Sequence, residues 1–319
     1  MDVYDVRNFI ITTEHRQICA MKGKYITIVY HDVCRCLAYS VIEHYDHEEN
    51  DNTLVMLNIA NDPNVPEFIL DMSKYAKRIY YNCEHYSMID IPETSQSIRY
   101  FNYLWNWIDQ NDFAEVWDFV LENLPYYPNF LKDRVKLRPP RYTTVFDEFR
   151  KIRDDYVTAD SPRYDLMFAG TYDTDLRMDV IQQLTNPYRS NIVFAPKVIN
   201  LCGCLAVDSL DIQAQCKFVL DYPHYSFTDQ AQNVVRIYEY VCLGSPVIAH
   251  VNYKFKNYFQ NMICEAYGDN PRDFVDDLYY KVRDFTPIYD AHEQYKTLTY
   301  YDEDYKRYVE SLLEQKIKV

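Results

Sequence analysis

The chain has 319 residues, a formal net charge of −15 and only five Gly. That length predicts about two domains, and 48% hydrophobic with 25% charged residues excludes wholesale disorder. The acidic balance disfavours nucleic acid, whose phosphates are gripped mostly by Lys and Arg, and neither G-x-G-x-x-G nor G-x-x-x-x-G-K-[ST] occurs, which excludes the usual dinucleotide and P-loop fingerprints.

The first residues, Met1 to Asp5, are acidic without an apolar core, so no signal peptide is expected. No apolar run approaches the roughly 20 residues of a membrane span. Residues 24–30 are β-branched and aromatic and predict a buried strand. A helix is expected over 33–45, a polar acidic loop over 44–52, a strand over 53–59, an amphipathic helix over 67–76 and a strand over 78–81. This alternation predicts a parallel sheet covered by helices. Helical stretches are read over 98–108 and 113–124, and a short strand over 135–137. Arg138-Pro139-Pro140-Arg141 then punctuates the chain, because two prolines stop regular structure. Lys132, Arg134, Lys136, Arg138 and Arg141 form a local basic cluster here.

Alternation resumes after Ser161-Pro162. Strands are expected over 164–169, 191–194, 216–220 and 246–249; helices over 175–184, 209–215 and 230–243, the last stopped by Gly244; and a mostly helical remainder from 253. The expected organisation is a Rossmann-like α/β domain over 1–155, a second over 156–285, and a helical extension over 286–319, with the two parallel sheets facing a cleft. Nine Cys, several in apolar runs such as those of Cys216 and Cys242, read as reduced thiols of a cytoplasmic protein. The pairs Cys34/Cys36 and Cys202/Cys204 lack zinc-site spacing, and no metal is expected.

Ligands of open α/β sheets bind outside the carboxyl ends of the strands. That rule selects His31-Asp32 after the first predicted strand and Glu84-His85 after the third. Each sets an imidazole beside a carboxylate, a general-base arrangement, although Asp32 also suits the cap of the following helix. In the second half it selects Gly170-Thr171, with Arg177 in the first turn of the next helix, an anion site at a helix N-terminus, and the loop holding His224 and Tyr225. Arg236 and Glu239 are three residues apart, on one face of a helix. They make either a surface ion pair or a guanidinium and carboxylate that grip phosphate and ribose.

The segment RIYEYVCLGSPVI, residues 236–248, resembles the R-x-x-E-x-x-x-x-G-x-P-V-I stretch of GT-B glycosyltransferases. RIYYNCEHYS at 78–87, EVWDFVLENL at 115–124, YDLMFAGTYDTDLRMDVIQQL at 164–184 and CKFVLDYPHYSFTDQAQNVVRIYEY at 216–240 are similar to that group in the same order. The resemblance covers about 240 residues. It implies a nucleotide diphosphate sugar, a UDP-sugar foremost, held by the second domain as donor substrate. Glu239 would bind the ribose hydroxyls; Gly170, Thr171, Arg177 and Arg236 would face the diphosphate; His224 and Tyr225 would border the sugar. It implies no metal, and an acceptor (glycan, protein or modified base) near His31, Asp32, Glu84 and His85 as the catalytic set. Ala231 stands where retaining members carry a second Glu, so retention and inversion both remain open. Gly23 is the one glycine near the family's Gly-rich first-domain loop. Two alternatives accompany this reading: transfer to a modified DNA base, suggested by the basic cluster, and a degenerate sugar- or nucleotide-binding protein.

Overall fold

The computed structural model describes residues 4–5, 11–13, 16–31, 34–59, 71–84, 86, 95–119, 121–138, 140–158, 164–168, 179–180, 183–184, 198–200, 213–221, 239–240, 242–250 and 263–284. These fall into two compact units, one ending at Thr143 and the other beginning at Thr144.

The first unit is built on a mixed sheet. Strands β1 (Tyr4–Asp5), β2 (Ile11–Thr13) and β3 (Arg16–Lys22) form an antiparallel border. β3 pairs antiparallel with β4 (Ile26–His31). From β4 onward the sheet is parallel through β5 (Thr53–Leu57), β6 (Lys77–Asn82), β7 (Glu115–Asp118) and β8 (Val135–Leu137). The antiparallel border corrects the expectation of an all-parallel sheet. Strand β7 corrects the helix read over 113–124. Val116 and Trp117 point to opposite faces and both are buried, which only an extended chain between two neighbours achieves. Residues 71–76 are likewise not α-helical; Met72–Lys74 is one 3-10 turn.

Residues of matching register share a face. Val29, Met56, Tyr80 and Val116 lie under α2 (Ser95–Gln110), whose Phe101, Leu104, Trp105 and Ile108 fill the same cluster. Tyr81 and Trp117 lie on the other face, where Tyr45 of α1 (Arg35–Tyr45) packs edge-on against Trp117 at 5.5 Å. The β4-to-β5 crossover therefore passes on one face. Ile59, Met72 and Tyr75 after β5, α2 after β6, and Tyr127 and Leu131 after β7 pack on the opposite one. Strand order does not reverse from β4 to β8, so the α1 crossover has the opposite hand to the one that carries α2. One of the two is left-handed, a rarity.

The α1 face carries an ion network. Glu115 accepts from Lys136 at 2.6 Å, Lys77 at 2.9 Å and the Trp117 indole at 2.8 Å; Lys77 also donates to Glu49 at 2.8 Å. Burial raises the Glu115 carboxyl, but the Lys136, Trp117 and Lys77 hydrogen bonds outweigh it and bring the pKa down to about 2. A lowered folded-state pKa contributes stability that is complete above the unfolded value near 4.5 and is lost as pH falls towards 2. Glu115→Gln is expected to flatten the decline of melting temperature between pH 4.5 and 2. An acid limb as steep as that of the unaltered chain would show that other carboxylates dominate it.

The second unit holds α4 (Val145–Thr158), which follows the short α3 (Asn129–Lys132) of the first, and a wholly parallel sheet. Its strands are β9 (Tyr164–Phe168), β10 (Val198–Asn200), β11 (Cys216–Asp221), β12 (Val247–His250) and β13 (Ile263–Ala266), in the spatial order β10-β9-β11-β12-β13. β13 corrects the helical reading of that stretch, while α5 (Pro271–Asp284) is helical as expected, capped by Asn270 Oδ1 on the amides of Arg272 and Asp273. The helix ahead of β12 stops at Gly244, whose φ of 77° is the left-handed conformation of a C-terminal cap. The Ser245 amide completes that cap on Tyr240 O at 2.9 Å. Arg153 of α4, 2% exposed, donates to Cys216 O at 2.9 Å and Ser245 Oγ at 3.1 Å, which fixes the amino ends of β11 and β12. The strand expected over 191–194 and the stretch beyond 284 lie outside the described residues. No helix among the described residues is long and apolar enough to cross a membrane.

Candidate functional site

In the first unit the polar groups gather at the carboxyl edge of the sheet. β5, β6 and β7 run straight into Asn58, Asn82-Cys83-Glu84 and Asp118. Asp118 is fully buried. Its carboxylate accepts from Tyr127 OH at 2.6 Å, Asn82 Nδ2 at 3.0 Å, and Asn123 Nδ2 at 3.0 and 3.1 Å. Burial beside this carboxylate raises the pKa of the Tyr127 phenol, so it remains a donor. Asn82 and Asn123 pass the constraint on. Both amides donate to Glu84 O at 2.8 Å, Asn82 Oδ1 accepts the Glu84 amide at 3.1 Å, and Asn123 Oδ1 accepts the Tyr86 amide at 2.9 Å. Asn58, held at a φ of 52°, donates to Glu84 Oε1 at 3.0 Å. The result is an exposed carboxylate on a backbone fixed from beneath, the arrangement that holds a reactive group in one place.

His31 is 9% exposed and ends β4; Glu84 follows β6 on the same edge. With β5 between them, they stand about two strand spacings, or roughly 10 Å, apart. The N-cap of α1 is Cys34. Its side chain hydrogen-bonds the Cys83 thiol, and burial first, then that contact, raises the Cys83 pKa, leaving a protonated thiol rather than a nucleophile. Asp32 and His85 lie outside the described residues.

Reading the residues after each strand finds His31 and Glu84. Asn82 stands in the same run as Glu84; Asp118 and Asn123 are left out. The signal for Asp118 was present, a polar residue directly after apolar Val116-Trp117, but the helical reading of 113–124 concealed it.

Two sequence expectations about anions change. Gly23 lies in the turn between β3 and β4, and the group it faces is the chain's own Asp46 carboxylate. That carboxylate, 5% exposed, accepts the amides of Lys24 at 2.8 Å, Tyr25 at 2.9 Å and Ile26 at 2.6 Å. A ring of amides does bind an anion here, and the fold supplies it. The basic cluster is likewise committed: Arg134 to Asp109 at 2.7 Å, Lys136 to Glu115 at 2.6 Å and Arg138 to Glu48 at 2.8 Å. Arg138 and Arg141 both lie 5.2 Å from the Tyr45 ring centroid. Three of the five cations of the cluster are thus paired within the chain.

In the second unit, neighbouring strands β9 and β11 are the place where spatial order reverses, as in doubly wound sheets that bind ligands at that point. Phe168 ends β9, and Asp221, 7% exposed, ends β11. Gly170 and Thr171 follow β9 by two and three residues in sequence. Glu239 is helical and half-buried, its carbonyl accepting the Leu243 amide at 3.0 Å. Gly170, Thr171, Arg177, His224, Tyr225 and Arg236 lie outside the described residues. Among the described residues, no cluster of His, Cys, Asp and Glu is arranged to hold a metal ion.

No protein-family model matches the chain, and no curated protein matches it either.

Proposed function

We propose that the chain is a glycosyltransferase that moves a sugar from a nucleotide diphosphate sugar to an acceptor hydroxyl, without metal. The observation that carries this reading is the strand order of the second sheet. Five parallel strands reverse at β9/β11, the arrangement that gathers a nucleotide at the carboxyl ends of those strands. The residues that the GT-B resemblance assigns to the donor flank this point in sequence: Gly170 and Thr171 after β9, His224 and Tyr225 after β11, Arg236 and Glu239 before β12.

In the proposed reaction the acceptor oxygen bonds to the anomeric carbon as the bond to the diphosphate oxygen breaks, and the diphosphate leaves with the electron pair. Arg177, Arg236 and the helix N-terminus after Gly170 would stabilise that charge, and Glu239 would hold the ribose diol. On the acceptor side, His31, Asp32, Glu84 or His85 would take the hydroxyl proton, with Glu84 held by the Asn58–Asn82–Asn123–Asp118 network.

UDP at about 100 times its dissociation constant stabilises a native state by about 2.7 kcal/mol, a rise of several degrees in melting temperature. Glu239→Ala is expected to remove that rise, measured against the variant's own ligand-free melting temperature. No shift with UDP, other nucleoside diphosphates or their sugars would overturn the donor site.

A further inference from the structure

Two cysteines meet at the carboxyl edge of the first sheet. Cys34 stands at the amino end of α1, three residues after His31 ends β4, and α1 lies on the sheet face that carries Tyr81 and Trp117. Cys83 follows β6 two residues after Tyr81, and the period of two carries it to the same face. Its Sγ lies 4.0 Å from Tyr81 O. The thiols of Cys34 and Cys83 are hydrogen-bonded to each other, with β5 between the strands that lead to them. Both are half-buried and carry no disulfide; among the described cysteines only Cys19 shares that exposure, while Cys36, Cys216, Cys242 and Cys264 are buried. Helix capping does not account for Cys34. Its side chain makes no bond to the amides of α1, and Ser, Thr, Asp or Asn would serve that position better.

We propose that Cys34 and Cys83 form a redox-active dithiol, oxidised by a hydroperoxide to a reversible disulfide that ties α1 to the residue beside Glu84. Burial first, and then the contact between the thiols, keeps the proton on Cys83, so Cys34 is the sulfur that attacks. Its thiolate bonds to one peroxide oxygen as the O–O bond breaks. With hydrogen peroxide this gives a sulfenic acid and a hydroxide, which takes up the proton shed by Cys34. The Cys83 sulfur then bonds to the Cys34 sulfur, and the hydroxyl leaves with the Cys83 proton as water. Two thiols are oxidised to one disulfide and the peroxide is reduced to two waters. A resolving thiol in contact with the attacking one stops oxidation at the disulfide, which thiol reductants reverse. The proposal does not depend on sugar transfer.

The full chain is titrated with hydrogen peroxide, its remaining thiols are alkylated, and the monomer is digested with trypsin without reduction. Cleavage after Lys24, Arg35, Arg78 and Arg99 puts Cys34 and Cys83 on separate peptides, 25–35 and 79–99, neither of which holds another cysteine. The expected product is the disulfide of these two peptides, formed with loss of two thiols and returned to two free peptides by dithiothreitol. Cys36→Ser is expected to leave it in place. Cys83→Ser should leave Cys34 as a sulfenic acid that dimedone labels, and Cys34→Ser should leave Cys83 unoxidised. Recovery of both cysteines as alkylated thiols while other cysteines oxidise would overturn the proposal. So would linkage of Cys34 to another cysteine, or a Cys34–Cys83 bond found only in covalent dimers. The first measurement needs no substitution, so a variant that fails to fold leaves the test intact.

Discussion

Asp118→Ala is expected to cost the first unit about 2–4 kcal/mol, from the buried donor it leaves unsatisfied and the cavity it opens. The carboxylate is fully buried and takes hydrogen bonds from Tyr127, Asn82 and Asn123. Alanine leaves the Tyr127 hydroxyl without this acceptor, while each amide keeps its bond to Glu84 O. A buried donor left unsatisfied costs about 1–3 kcal/mol, and the cavity left by the carboxylate adds to that. At about 2–4 °C per kcal/mol for a unit of this size, the melting temperature should fall by roughly 10 °C. Asp118→Asn keeps the shape but turns one acceptor into a donor facing the Asn123 amide, and should cost less. Denaturant unfolding checks both. A loss below about 1 kcal/mol for alanine would show that the network is not under the tension of burial.

The second large effect is expected at Asp46. Its carboxylate holds three successive amides, and hydrogen bonds to a charged group are worth about 1.5–3 kcal/mol each before the amides of Lys24 and Tyr25 regain water. Asp46→Ala should therefore destabilise the chain by about 3–4 kcal/mol. Gly23 supplies an independent route to the same loss. A Cβ at Gly23 would stand 2.6 Å from Asp46 Oδ1 and 2.7 Å from Cγ, closer than real Cβ atoms come, so Gly23→Ala must displace the carboxylate. The two changes should be strongly non-additive, the double variant losing little more than either alone. Additive losses, measured by the same unfolding experiment, would show that Gly23 acts through something other than Asp46.

Strands β4, β5 and β6 could be read from the sequence because they are short β-branched or aromatic runs buried on both faces. Strand β7 could not. Phe113, Val116 and Leu124 fall at helical spacing, and four residues of strand are too few to show a period of two against that background. The border strand β3 turns Ile18 and Ala20 to the cluster under α2, but no element is expected over its residues from the sequence. At the candidate site, the rule about strand ends found His31 and Glu84. The residues that fix Glu84 arrive through tertiary contacts: Asn123 comes from the 3-10 turn Leu121–Tyr126, and nothing in its neighbourhood marks it as a partner of Glu84. Gly23 is singled out only as the one glycine near the place of the family's Gly-rich loop. The anion it faces is Asp46, 23 residues further along the chain.

The Asp46 clasp also bears on the order in which the first unit assembles. Its partners are 20 to 22 residues away, a short separation, and closing a loop of that size costs little entropy compared with bringing β7 and β8 to the sheet. The β3–β4 hairpin and α1 can therefore close on one another as a local nucleus. Once closed, they commit the first crossover to its face before later strands arrive to compete for it. The face taken by the first crossover is then set by a bond between near neighbours, and the later strands build on top of it.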